Sequence, residues 1–150
     1  MACCVVLFAH PKWLYKRIEQ AWPGQSATIL AANNHPGPMT LRVNQQCQSR
    51  AEYLTILQTA SIDAKATALS ADGVQLLKAT GVETIPGFVQ GQLSVQDEAA
   101  QLAAHLLQLA PGQRVLDACC APGGKTCHIL ECEPSLNELV ALDIDESRLE

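Results

Sequence analysis

Two short apolar runs, each ending in an aspartate and separated by a glycine-rich turn, constrain the fold of this 150-residue chain most. Val115-Leu116-Asp117-Ala118 leads into Gly123-Gly124. Residues 125–131 suit a helix closed by Pro134, and Leu139-Val140-Ala141-Leu142-Asp143 follows. Two buried-type strands joined through a helix make a βαβ unit, which implies a parallel sheet. Ligands in such sheets bind beyond the carboxyl ends of the strands, where Asp117 and Asp143 fall. Residues 145–150 read as the start of one more helix.

The chain ahead of this unit has another texture. Leu14, Ile18 and Ala21/Trp22 recur at helical spacing, so the stretch 11–22 predicts a helix, stopped by Pro23-Gly24. Asn33 to Pro38 is turn-rich, and Met39 to Asn44 alternates like a short strand. Ser49 and Glu52 have capping-box spacing and open a helix through Leu54 and Leu57. From 65 to 93, apolar pieces broken by Asp72-Gly73, Gly81, Pro86-Gly87 and Gly91 predict short strands and turns. Ser94-x-x-Asp97 is the expected cap of a helix through Leu102, Leu106 and Leu109 that ends at Pro111-Gly112. The expected division is a small α+β module over 1–92, then the first part of a parallel α/β sheet over 93–150.

Composition excludes several classes. With 48% hydrophobic and 17% charged residues the chain reads as globular. No apolar run is long enough for a membrane span, and Ala2–Ala9 makes a poor signal peptide, so a cytoplasmic protein is expected. The net charge of -5 divides into +2 over residues 1–75 and -7 over 76–150, which places any polyanion contact on the first half. Seven cysteines without a CxxC read as reduced thiols, and the four histidines show no ligand spacing. No metal is expected.

Three ligands compete for the glycine turn. A P-loop needs glycine at position 119, which is Cys119, and a dinucleotide fingerprint needs G-x-G-x-x-G, which is absent. S-adenosylmethionine fits better. Asp143, 19 residues after Gly124, suits the ribose hydroxyls; the helix N-terminus suits the carboxylate; Asp117 suits the cationic end. The bland alternative is a tight turn flanked by acids that merely cap strand ends.

The run Asp117-Ala-Cys-Cys-Ala-Pro-Gly-Gly-Lys-Thr-Cys-His-Ile-Leu-Glu131 closely resembles the cofactor motif of the 5-methylcytosine RNA methyltransferases of Nop2/Sun type. His10-Pro-x-Trp-Leu, Ala32-Asn-Asn, Pro38-Met-x-Leu-Arg-Val-Asn44, Ile85-Pro-Gly-Phe88 and Val95-Gln-Asp97 extend the resemblance over residues 10–150. They look like bacterial members that act on small-subunit ribosomal RNA. The resemblance implies a Rossmann-like S-adenosylmethionine-dependent methyltransferase sheet preceded by a small α+β RNA-binding module. Its cofactor loop would comprise Cys119, Cys120, Ala121, Pro122, Gly123, Gly124 and Lys125, with Asp117 beside it and Asp143 on the ribose. Cys120 departs from the alanine common in the family. The expected partner is small-subunit ribosomal RNA, with no membrane, and the expected state is a monomer.

In this family a thiolate adds to cytosine C6, C5 then takes the methyl group, and a base removes the C5 proton. The family's thiols lie in Pro-Cys and Thr-Cys-Ser motifs, and the sequence holds neither. Thr126-Cys127-His128 is only a partial lookalike inside the cofactor helix. None of the seven cysteines is therefore the expected nucleophile, and the chain reads as an incomplete piece that is inactive alone, with the nucleophile expected after residue 150. The alternative reading is a non-catalytic RNA-binding piece that uses Lys12, Lys16, Arg17, Arg42 and Arg50.

Overall fold

The computed structural model describes residues 9–148. Cys3, Cys4, the opening apolar stretch up to residue 8 and the last two residues of the expected final helix lie outside the described residues. Residues up to Gly37 form one compact unit and those from Pro38 onward a second.

In the first unit, helix α1 (Lys12–Ala21) opens on Pro11, whose fixed φ suits a helix entrance, and closes with Trp22 N–H donating to the Ile18 carbonyl at 2.7 Å. Helix α2 (Ser26–Asn33) was not expected. Its sequence SATILAAN is small or apolar on every side, so no stripe of period 3.6 marks it.

The second unit opens with strand β1 (Thr40–Val43), followed by helix α3 (Arg50–Thr59). The capping box is formed: Glu52 N–H donates to Ser49 Oγ, and Ser49 N–H donates to the Glu52 carboxylate at 2.8 Å. Strands β2 (Ala64–Ala66), β3 (Gly73–Leu76) and β4 (Leu93–Val95) complete an antiparallel sheet in the order β2-β3-β1-β4. Leu41 lies opposite Val74 on one side and Val95 on the other. Leu41, Val43, Val74, Leu76 and Leu93 pack with Tyr53 and Leu57 of α3 and with Ile85, which makes one continuous core. Gly73 is required here, because a Cβ would collide with Thr67 Oγ1 and press on Gln101 Oε1.

Helix α4 (Glu98–Leu106) starts three residues later than the Ser94 cap predicted. Asp97 is itself the N-cap and accepts from Ala99 N–H at 2.9 Å, whereas Ser94 belongs to β4. Strand β5 (Arg114–Asp117), helix α5 (Gly124–Cys132) and strand β6 (Glu138–Ala141) then form the expected βαβ unit. β5 and β6 pair in parallel, with Asp117 opposite Ala141. A single 3₁₀ turn occupies Glu146–Arg148, where a helix start was expected. The expected 92/93 boundary falls inside the second unit: β4, just beyond it, completes the antiparallel sheet.

Candidate functional site

The loop between β5 and α5 sits at the carboxyl edge of the parallel pair, and backbone hydrogen bonds fix its course. Leu142 N–H donates to the Asp117 carbonyl at 2.8 Å, and Cys120 N–H donates to the Leu142 carbonyl at 3.0 Å. Gly123 N–H closes a turn onto the Cys120 carbonyl at 2.6 Å, past the cis peptide Ala121–Pro122. Gly123 caps α5 with φ of 95°, a left-handed conformation that favours glycine. A Cβ built there would meet only Cys127 Sγ, at 3.9 Å, so the face of the turn is open.

The two aspartates have different duties. Asp117 accepts from Cys119 N–H at 3.2 Å and from Thr126 Oγ1 at 2.7 Å, so both of its oxygens hold the loop to the helix. Asp143 accepts from Asp145 N–H at 3.0 Å on one oxygen and from Ala121 N–H at 2.9 Å on the other. These backbone donors hold its carboxyl below the usual carboxylate range. Each Asp143 oxygen takes one N–H, which leaves lone pairs for hydroxyl donors.

The loop thus brings together every residue placed in it by sequence. Cys120 is buried and Ala121, Gly123 and Gly124 are half-buried, while Pro122, Lys125 and Cys119 are exposed. Burial, followed by the charges of Asp143 and Asp117, pushes the Cys120 thiol up, so it stays protonated at neutral pH.

Arg42 overturns part of the RNA-binding alternative. Its side chain is 0% exposed and ties β1 of the antiparallel sheet to helix α5. It grips Glu131 with two nitrogens, at 2.7 and 3.1 Å, and donates to Gln96 Oε1 at 2.5 Å and to the Gly124 carbonyl at 2.6 Å. Strand alternation explains the placement: Leu41 and Val43 face the core, so Arg42 faces the opposite side. Arg50 is also committed, donating to the Ser70 carbonyl at 2.7 Å. Of the five basic residues considered, Lys12, Lys16 and Arg17 are the exposed ones.

Two of the four histidines, which show no ligand spacing in sequence, meet one carboxylate in the fold. His105 Nε2 and His128 Nε2 each lie 3.1 Å from Asp72 Oδ2, and their rings meet edge to face with centroids 5.1 Å apart. Burial opposes the Asp72 charge, but the bonds and charges of His128 and His105 outweigh it and hold the carboxyl below its ordinary value. The three residues lie 33 and 56 positions apart in sequence, so no local spacing announces the cluster. No described helix is long and apolar enough to cross a membrane.

Comparison with known proteins matches residues 10–83 to an RsmF/B-like ferredoxin-like domain and residues 104–150 to the 16S rRNA methyltransferase RsmB/F family. The β2-β3-β1-β4 order is the ferredoxin-like order read from its other edge. The chain is 57% identical over 145 residues to ribosomal RNA small subunit methyltransferase B of Pseudomonas syringae pv. tomato, covering 97% of this chain and 32% of that protein. It is 49% identical over 142 residues to the same enzyme of Vibrio vulnificus, covering 95% and 33%. The chain therefore spans about a third of the length of the curated relatives it matches. A methyltransferase homolog protein from Pyrococcus horikoshii has a similar structure, with a TM-score of 0.73 at 25% identity over 97% of this chain and 48% of that one. NSun6 from the same organism, solved with SFG, shares the fold with a TM-score of 0.79 at 15% identity, over 95% and 61%.

Proposed function

We propose, on the premise that this chain belongs to the RsmB/F methyltransferase family, that it carries the S-adenosylmethionine loop of an enzyme that methylates cytosine C5 in small-subunit ribosomal RNA. The observation that carries this reading is the open glycine turn beside Asp143, an ionised acid with lone pairs to spare at the carboxyl edge of β6. In this reading Asp143 holds the ribose hydroxyls. The first N–H groups of α5 face the cofactor carboxylate, and Cys119 to Lys125 line the loop. Asp117 supports it mainly as the clamp between loop and helix. The cofactor supplies a methyl group from its sulfonium; the chain's own residues bind and orient it.

Residues 1–92 serve as the RNA-facing module and residues 93–150 carry the cofactor, with β4 shared into the first sheet. The working state is a cytoplasmic monomer on ribosomal RNA. The 150 residues hold no Pro-Cys or Thr-Cys-Ser motif, so the purified chain transfers no methyl group to ribosomal RNA by itself.

Calorimetric titration of the purified chain with S-adenosylhomocysteine tests the reading. Binding is expected to be weak, and Asp143→Asn weakens it at least about tenfold, the scale of one hydrogen bond to a charged group. Equal affinity in both proteins would reduce the aspartate to a strand-end cap and overturn the proposal.

A further inference from the structure

A cavity of about 250 Å³ beside α5 is separate from the pocket at the glycine turn, and its lining includes Val43, Asp72, His105, His128, Glu131 and Cys132. The cofactor reading uses none of its polar groups except as scaffold. His128 and Cys132 stand four positions apart on α5, so they share one face of that helix. His105 comes from α4, which packs against α5. One donor atom from each of His105, His128 and Cys132 lies within 4.8 Å of the others.

We propose that His105, His128 and Cys132 bind a divalent metal ion of zinc type, with Asp72 as the outer partner that orients the two imidazoles. The donor chemistry selects the ion: two imidazoles and one thiolate suit zinc, with ligand bonds of about 2.0–2.3 Å. A tetrahedral site of that size has edges of about 3.3–3.8 Å, so each pair of donors needs at most about 1.5 Å of closure from the present spacing. Asp72 supplies the carboxylate–histidine arrangement that fixes imidazole orientation in metal sites, because its Oδ2 is 3.1 Å from Nε2 of both rings. His128 gives an independent indication. Its ring is 2% exposed and its Nδ1 is buried without a hydrogen-bond partner, a lone pair that a metal ion would satisfy. Glu131 is unavailable as a ligand, since Arg42 holds both of its oxygens. Three protein donors leave a fourth position open to water from the cavity.

Such an ion would tie α4 to α5 and so steady the helix whose first turn carries Gly124. This role is independent of what the glycine turn binds.

The test is titration of the chelator-stripped 150-residue chain with cobalt(II), followed by competition with zinc. Tetrahedral visible bands and a near-ultraviolet thiolate-to-cobalt band are expected, saturating at one ion per chain and bleached by zinc. Cys132→Ser removes the thiolate band, and His105→Gln weakens binding at least about tenfold. Cys47→Ser and Cys119→Ser leave the spectrum unchanged. Circular dichroism reports folding of each variant, and because His105 and Cys132 are both exposed, either variant alone decides the matter. Absence of any cobalt spectrum, or a thiolate band that survives Cys132→Ser, would show a metal-free Asp72–histidine cluster and overturn the proposal.

Discussion

The antiparallel sheet and the parallel pair are folded from the same chain but are supported differently. In the antiparallel sheet β1 is buried along its whole length, and α3 seals a core of leucine, valine and tyrosine. In the parallel pair Leu116 is 59% exposed and Val140 is open to solvent, as are Leu142 and the fully exposed Ile144 just past β6. Parallel strands ordinarily need cover on both faces, and among the described residues that cover is incomplete. The half that carries the candidate cofactor loop therefore leans on the half that does not, through α5 and the buried Arg42 network. Local geometry can be fully formed while its stability comes from elsewhere.

The largest expected effect falls on that dependence. Arg42→Ala would leave Glu131, Gln96 and the Gly124 carbonyl without their common donor and destabilise the chain by about 3–5 kcal/mol, measured by urea unfolding. Arg42→Lys would recover little, because an ammonium cannot reproduce the bidentate grip on Glu131. A loss below about 1 kcal/mol would mean that the two halves stand independently.

A smaller effect separates the halves by pH. Burial pushes the Tyr53 hydroxyl from about 10 up to about 12. Because the folded form holds this proton more tightly, its contribution is fully present below pH 10 and is lost as pH rises toward 12, by about 2 kcal/mol. Tyr53→Phe should make the alkaline limb shallower, although it also forfeits the 2.9 Å bond to the Pro86 carbonyl. The parallel half has no buried phenol but carries the raised Cys120 and Cys132 thiols, so Tyr53→Phe should remove only part of the alkaline limb, and a limb left unchanged by that substitution would break the contrast.

The features legible in sequence were those encoded locally. Ser49 and Glu52 announced α3 because a capping box spans only three positions. The βαβ unit was legible from two apolar runs around a glycine turn, and its parallel pairing follows from connection alone. Helix α2 was missed for want of an apolar stripe, and the start of α4 was displaced because Ser94 and Asp97 both look like caps. Arg42 reads in sequence as a candidate RNA contact, since nothing nearby reveals that Glu131, 89 positions on, will meet it. The Asp72–His105–His128 cluster was illegible for the same reason: three elements meet there, and each residue alone is unremarkable.

Hydrogen exchange measured residue by residue, with and without S-adenosylhomocysteine, tests the central claim most directly. Without ligand, amides of β5 and β6 should exchange faster than those of β1 and β3; with ligand, protection should rise at residues 119–127 and 143–145 and stay unchanged in α3. Uniform protection across both sheets without ligand, together with no change at the glycine turn on adding it, would contradict the account.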